Sequence, residues 1–217
     1  GCAGRSRRLA LMSDRSSSLP ELVLATSNPG KLREFRAILG ELPFTFLALS
    51  DFPEVQLPEE GDDYEANAVV KARVIAAAVG RPALADDSGI EVTALGGRPG
   101  PRSARFGGGD LDDAGRVEKL LADLAATGDE DRSARFVCVA ALAFPGGEVI
   151  TARGECPGWI LEAPQGGGGF GYDPIFEVER GGRSMAEIPA TEKNRISHRA
   201  RALLSLRDAI QQRVVSA

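Results

Sequence analysis

The first candidates for chemistry are acidic residues at the end of a predicted strand. Asp86-Asp87-Ser88-Gly89 directly follows the apolar run Ala83-Leu84-Ala85. Two adjacent carboxylates and a hydroxyl can hold Mg²⁺ through oxygen atoms, and one carboxylate can then deprotonate water. Asp and Ser also favour β-turns, so an acidic turn without catalytic function is the competing interpretation. Glu59-Glu60-Gly61 and Glu65 could add a carboxylate, although such a run is also typical of a solvated loop.

A second candidate is the loop that joins a short apolar strand to a helix. It reads Thr26-Ser27-Asn28-Pro29-Gly30-Lys31. Asn28 can cap the helix, Pro29 suits its first position, and Gly30 allows close backbone approach. Free amides at the positive end of the helix dipole, with Lys31 beside them, suit a phosphate chain. A capped surface helix is the alternative, and the sequence lacks the Walker A pattern here.

A third set lies in the last quarter of the chain. It comprises Gly169-Phe170-Gly171-Tyr172-Asp173, followed by Lys193 and by Ser197-His198-Arg199. The aromatic ring of Phe170 can stack on a flat ligand, and the later side chains supply donors for carbonyl or phosphate oxygens. A flexible turn and a solvated helix face are the alternatives.

The elements that must position these residues follow from hydrophobic spacing. Helices are predicted after Asn28, from an Asp62/Glu65 capping box to Gly80, over residues 113–124, and at the C-terminus through Ile196 to Ile210. Strands are predicted at residues 22–25, 44–49, 83–85 resuming at 90–92, 134–144, 148–155 and 175–178. This order predicts a mixed α/β fold with a long central sheet and a cleft at strand ends.

Composition excludes several classes of function. The 217 residues carry a net charge of −5, which argues against a nucleic-acid partner. Apolar runs of about 18 residues are missing, so no membrane span is predicted. Three cysteines without a C-x-x-C pair and one histidine disfavour disulfide and zinc sites and fit a cytoplasmic setting. Residues 1–20 are predicted to be a disordered tail, and residues 21–217 a single catalytic domain.

Six blocks in order resemble the inosine/xanthosine triphosphate pyrophosphatase family, over about residues 21–211. The blocks are Leu24-Ala25-Thr26-Ser27-Asn28-Pro29-Gly30-Lys31, Glu65-Ala66-Asn67-Ala68 with Lys71-Ala72, Ala85-Asp86-Asp87-Ser88-Gly89, Ser103-Ala104-Arg105-Phe106, Gly169-Phe170-Gly171-Tyr172-Asp173-Pro174 and Glu192-Lys193-Asn194-Arg195-Ile196-Ser197-His198-Arg199. The resemblance implies an elongated mixed sheet flanked by helices, two lobes with a substrate cleft between them, and a homodimer.

The resemblance also implies the role of each site residue. Asp87 would be the general base and a Mg²⁺ ligand, with Glu60 favoured as the second metal carboxylate and Asp86 as a supporting partner. The triphosphate would contact Thr26, Ser27, Asn28, Pro29, Gly30 and Lys31, and the rest of the substrate would contact Ser88, Phe170, Gly171, Tyr172, Asp173, Lys193, His198 and Arg199. Arg199 would recognise the 6-oxo group of a deaminated purine.

The expected reaction is therefore hydrolysis of ITP, dITP or XTP to the monophosphate and pyrophosphate, with Mg²⁺ as cofactor. Two rival functions stay open at this point. One is the related septum-formation-inhibitor-type pyrophosphatase, whose Ser-Pro-Arg-Arg signature this sequence lacks. The other is a nucleotide-sensing module that binds without turnover.

Overall fold

The computed structural model describes residues 19–214, so the predicted tail lies almost wholly outside the described residues. In this range a six-stranded sheet has the order β2-β1-β3-β4-β5-β6. The strands are β1 (Glu21–Leu24), β2 (Thr45–Ala48), β3 (Ala83–Val92), β4 (Ser133–Ala143), β5 (Val149–Ile160) and β6 (Phe176–Glu177). The helices are α1 (Pro29–Leu39), α2 (Tyr64–Val79), α3 (Asp113–Thr127), α4 (Ala190–Ile196) and α5 (His198–Val214). The predicted mixed α/β class is confirmed.

Strand β3 is a central strand of the sheet, between β1 and β4. It pairs with β4 without interruption from Ala83 to Val92, but β1 accompanies it in parallel only as far as Leu84. Between Ala85 and Ile90, β3 therefore has a strand on one edge only, counting the strands of residues 19–214. The four residues of the predicted acidic turn lie inside this continuous strand, so the expected strand break and the acidic-turn interpretation are wrong.

Helices cover the two faces of the sheet beside this open edge. Leu24 and Leu84 pack in a core with α1 and α5, whereas Val23, Ala83 and Ala85 pack in a second core with α2. Successive side chains of a strand point to opposite faces. From Ala83 to Ser88, the alternation therefore places even-numbered side chains of β3 towards α1 and α5, and odd-numbered side chains towards α2.

The beginning of α2 differs from the prediction by one residue. Asp63 is the N-cap, and its Oδ1 accepts a hydrogen bond from the amide of Ala66 at 2.7 Å. Asp62 instead binds the guanidinium of Arg102. The helix ends at Gly80, as predicted, because glycine readily adopts the left-handed conformation found there, with a φ of 64°.

The C-terminal segment forms two helices, where one continuous helix was expected. Ser197 is extended between α4 and α5, and its hydroxyl accepts a hydrogen bond from the amide of Ala200 at 3.2 Å. The first turn of α5 lies directly against β5, since a Cβ at Gly154 would stand 2.2 Å from the carbonyl oxygen of His198. This close approach fixes the start of α5, which carries two predicted site residues.

A third core lies at the far end of the sheet. Ile90 and Val92 of β3 pack there with Leu120 and Leu124 of α3 and with Phe176 of β6. The cleft lies between this lobe and the two cores around β1. No described helix has the length and apolar character needed to cross a membrane.

Candidate active site

A cavity of about 320 Å³ opens beside the free edge of β3, where β1 and β2 end. This volume lies in the range of small-molecule sites. The cavity gathers fourteen of the sixteen predicted site residues. They are Thr26, Ser27, Asn28, Lys31, Glu60, Asp87, Ser88, Phe170, Gly171, Tyr172, Asp173, Lys193, His198 and Arg199. Pro29 and Gly30 do not line it.

Asp86 is held between two cations on the α1 and α5 face. Its carboxylate lies 3.0 Å from Lys31 Nζ and accepts a hydrogen bond from Arg199 Nε at 3.0 Å. Burial alone would raise the pKa of this carboxyl, but Lys31 and Arg199 hold it well below its usual range. Asp86 is therefore a permanent counter-ion and is poorly suited to accept a proton.

Glu34 of α1 extends this charge network, and the sequence analysis gave it no role. It pairs with Arg199, and its other oxygen lies 2.8 Å from Lys193 Nζ. Lys193 in turn contacts Asp173 at 2.5 Å. Three carboxylates thus alternate with the cations Lys31, Lys193 and Arg199, so this half of the cavity is rigid and nearly charge-balanced.

Asp87 has a different environment on the α2 face. It accepts a hydrogen bond from Asn67 Nδ2 at 2.8 Å, and Lys71 Nζ lies 3.5 Å from its second oxygen. Lys71 makes its shorter contact with Glu60, at 2.5 Å. Burial raises the pKa of Asp87 despite the lowering influence of Lys71 and Asn67. A carboxylate with a raised pKa is better suited to take a proton from water.

The acidic loop presents one carboxylate to the cavity. Glu60 lines it, whereas Glu65 turns away and accepts a hydrogen bond from Thr151 at 3.0 Å. Among residues 19–214, no group of three or more His, Cys, Asp or Glu side chains could by itself hold a metal ion. Asp87 and Glu60, both contacted by Lys71, form a pair of oxygen donors. This donor set fits Mg²⁺, which commonly binds one or two carboxylates together with substrate phosphates.

The loop before α1 is capped as predicted, but its amides are not free. Asn28 Oδ1 accepts hydrogen bonds from the amides of Gly30 at 2.8 Å and Lys31 at 3.1 Å. The sequence predicted free amides at this end of the helix, and the amides of Gly30 and Lys31 do not fit that prediction. Gly30 has another role, because a Cβ there would stand 2.6 Å from the ring of Phe170. Lys31 is the cation of this loop that lines the cavity. Contacts between the loop and phosphate stay a prediction.

The loop at residues 169–173 is anchored on both sides. Asp173 Oδ2 accepts a hydrogen bond from the amide of Phe170 at 2.8 Å, and Asp113 of α3 accepts one from the amide of Gly171 at 2.8 Å. Tyr172 donates its hydroxyl to the carbonyl oxygen of Ser103 at 2.9 Å. These contacts fix the Phe170 ring with its centroid 5.0 Å from Lys193 Nζ.

His198 is buried at the start of α5. Its ring stacks on Phe136, with a centroid distance of 4.7 Å and an interplanar angle of 12°. Burial, reinforced by Arg199 and Lys193, places the pKa of His198 well below its usual value. The imidazole is therefore neutral near neutral pH. Next to it, Arg199 is only 2% exposed and donates to Ser88 Oγ at 2.7 Å.

No role was predicted from the sequence for the supporting residues Glu34, Asn67 and Lys71. Asn67 and Lys71 lie within one of the six family-like blocks. Both interrupt the apolar stripe of α2 next to Ala68 and Ala72, and a polar side chain in a buried stripe is the signal that could have identified them.

The fold of this chain is that of Ham1 proteins. A Ham1 protein from Coxiella burnetii superimposes with a TM-score of 0.81 at 42% identity, covering 89% of this chain and all of that one. The Ham1 family model matches residues 22–209, and the chain belongs to this family. The chain is 51% identical over 191 residues to a dITP/XTP pyrophosphatase of Geobacter sulfurreducens, covering 88% of this chain and 96% of the relative. It is 49% identical over 189 residues to the enzyme of that name from Thermus thermophilus, covering 87% and 91%.

Proposed function

We propose that this protein hydrolyses dITP, ITP and XTP to the nucleoside monophosphate and pyrophosphate, removing deaminated purines from the nucleotide pool. The observation that carries the proposal is that Lys31 and Asp87 line one cavity, with Lys31 of α1 in contact with Asp86, the residue next to Asp87 on β3. The names of the relatives support the substrate class.

Asp87 accepts a proton from the attacking water in this scheme. The water oxygen bonds to the α-phosphorus, and the bond from the α-phosphorus to the bridging oxygen breaks. The electron pair of that bond leaves with pyrophosphate. Lys31 and Lys71, which lie beside Asp86 and Asp87, offset the negative charge of the phosphates.

Asp87 and Glu60 would hold Mg²⁺, the cofactor that we propose for this reaction. When bound, the ion neutralises phosphate charge and favours attack at phosphorus. The remaining functions belong to the protein. The loop with Thr26, Ser27 and Asn28 contacts the phosphate chain, and Ser88 contacts the nucleotide next to Arg199.

The base would bind between the loop at residues 170–173 and the cations Lys193 and Arg199. Hypoxanthine and xanthine carry a 6-oxo acceptor where adenine carries an amino donor. Both cations can only donate hydrogen bonds. They can therefore pair with the 6-oxo group of hypoxanthine or xanthine, whereas the amino group of adenine would find no acceptor. A site built around such a bond can discriminate by about 10⁴-fold. Phe170 would stack on the base.

A substrate panel tests the proposal. Pyrophosphate release is measured with dITP, ITP, XTP, ATP, GTP and pyrimidine triphosphates, with and without Mg²⁺. We expect rapid release from the deaminated purines only in the presence of Mg²⁺. Equal rates for all substrates, activity confined to ATP, or a pyrimidine-only profile would contradict it. Tight binding of dITP without any turnover would favour a nucleotide-sensing module.

We also propose a homodimer in the cytoplasm, with no nucleic-acid partner. Light scattering coupled to size-exclusion chromatography tests the assembly directly. A mass near 23 kDa, set against the chain mass of 22.8 kDa, would show a monomer and contradict the proposal.

A further inference from the structure

Asn67 connects the Asp87 carboxylate to the main chain of the acidic loop that carries Glu60. Its Nδ2 donates to Asp87 Oδ2 at 2.8 Å and to the carbonyl oxygen of Gly61 at 3.1 Å. Its Oδ1 accepts a hydrogen bond from the amide of Gly61 at 2.7 Å. One side chain therefore binds the proposed general base and the residue next to Glu60.

The geometry of Asn67 leaves it little freedom. The residue is 6% exposed, and both amide hydrogens and the carbonyl oxygen have partners. Its backbone amide bonds the carbonyl oxygen of Asp63, the N-cap of α2, so the side chain projects from a rigid first turn. Buried and fully satisfied amide networks of this kind hold their members in one arrangement.

The other contacts of the acidic loop cannot replace this link. Lys71 touches the Glu60 and Asp87 carboxylates, but its ammonium is a point charge on a flexible stem. Arg105 donates to the carbonyl oxygen of Glu60 at 3.1 Å, which is a contact with the main chain of the loop. The side-chain amide of Asn67, by contrast, bonds both the main chain of the loop and the Asp87 carboxylate.

We propose that Asn67 is a positioning residue that sets the place of Glu60 relative to Asp87. The inference rests on the proposed function, because it gives a purpose to the separation of these two carboxylates. It predicts that removing the amide loosens the acidic loop and misaligns Asp87 while the base-binding half of the cavity stays intact.

The first test compares Asn67→Ala and Asn67→Asp with the control Glu65→Gln on the same helix. A misplacement of about 1 Å can cost about 10²-fold in rate, so we expect kcat for dITP to fall roughly 10- to 100-fold in Asn67→Ala. Asn67→Asp should lose more, because its carboxylate faces that of Asp87. KM should change less than about threefold, and Glu65→Gln should match the parent. An unchanged kcat in both Asn67 variants would overturn the proposal.

The second test does not depend on activity. Amide hydrogen exchange in Asn67→Ala should accelerate at Gly61 by at least about tenfold, while core amides of β4 stay protected. Full protection of Gly61 would overturn the proposal. Loss of protection throughout β4 would also overturn it, because Asn67 would then stabilise the whole fold. If Gly61 loosens locally but the parent protein releases no pyrophosphate from dITP, the proposed function fails and the positioning role stands.

Discussion

Asp86 and Asp87 are adjacent in sequence and opposite in environment. Asp86 lies on the face of α1 and α5, fully enclosed between Lys31 and Arg199, with a lowered pKa. Asp87 lies on the face of α2, with an amide and a more distant ammonium as partners and a raised pKa. The difference arises because alternate side chains of a strand meet different helices.

The comparison shows how one strand supplies two separate functions. Both carboxylates reach the cavity because β1 ends at Leu24 and leaves the edge of β3 open. The number and distance of nearby cations then decide which carboxylate stays a counter-ion and which can exchange a proton. The two aspartates should therefore respond differently to the same substitution.

Asp87→Asn should produce the largest effect on activity. The amide cannot accept the proton of the attacking water, so we expect kcat for dITP to fall by about 10³-fold, within the range for general bases. Binding of dITP, measured by calorimetry, should persist. Because Lys71 keeps Glu60 as its partner, the free energy of unfolding should change little. Normal turnover in this variant would remove Asp87 from its assigned role.

Asp86→Asn should instead affect stability most strongly. It leaves Lys31 and the buried Arg199 without their shared carboxylate. Removing one partner of a buried ion pair costs about 3 kcal/mol, which urea denaturation can measure. Ser88→Ala, which removes only a neutral hydrogen-bond partner of Arg199, should cost about 1 kcal/mol. Equal losses for the two aspartate variants would remove the distinction between the faces.

Lys31→Met should weaken binding of the phosphate chain. A hydrogen bond to a charged group contributes roughly 1.5–3 kcal/mol, so we expect about a tenfold or greater rise in Kd for tripolyphosphate. Asp86 keeps Arg199 as a partner, so the protein should stay folded. An unchanged Kd measured by calorimetry would place the phosphate chain elsewhere.

His198→Gln should change the pH dependence of stability, in addition to the constant cost of removing a buried ring that stacks on Phe136. Native His198 stays neutral because its pKa is lowered, whereas the unfolded imidazole binds a proton near pH 6.5. As the pH falls, the unfolded state therefore binds a proton before the native state does. The free energy of unfolding then decreases below about pH 6.5. The loss grows as the pH falls further below that value. His198 is the sole histidine, so the variant should lose less stability than the parent between pH 7.5 and 5.5 in urea titrations.

Local signals in the sequence predicted much of the fold. The Asn28 cap, the end of α2 at Gly80 and the β4–β5 hairpin depend on neighbouring residues, and the structure contains all three. The continuity of β3 was missed because Asp and Ser have high turn propensity. Ten paired residues of β4 and the cations around Asp86 outweigh that propensity.

The candidate site was also predicted only in part. Its lining residues could be predicted from local sequence blocks, but the partners of these residues come from distant parts of the chain. Glu34 and Arg199 are separated by 165 residues, and no local pattern indicates that pair. The break at Ser197 was missed for a related reason, since the apolar spacing continues through it and only the hydroxyl cap marks the new helix.

The register of β3 against β4 also limits which insertions and deletions this protein can tolerate. A shift of one residue along that ladder could place Asp87 between the cations that now surround Asp86, and the hydroxyl of Ser88 where the proton acceptor stands. Gly89 opposes such a shift, because any side chain there would collide with the carbonyl oxygen of Gly100, 2.1 Å from its Cβ. Insertions or deletions in this strand should therefore abolish turnover even in variants that still fold.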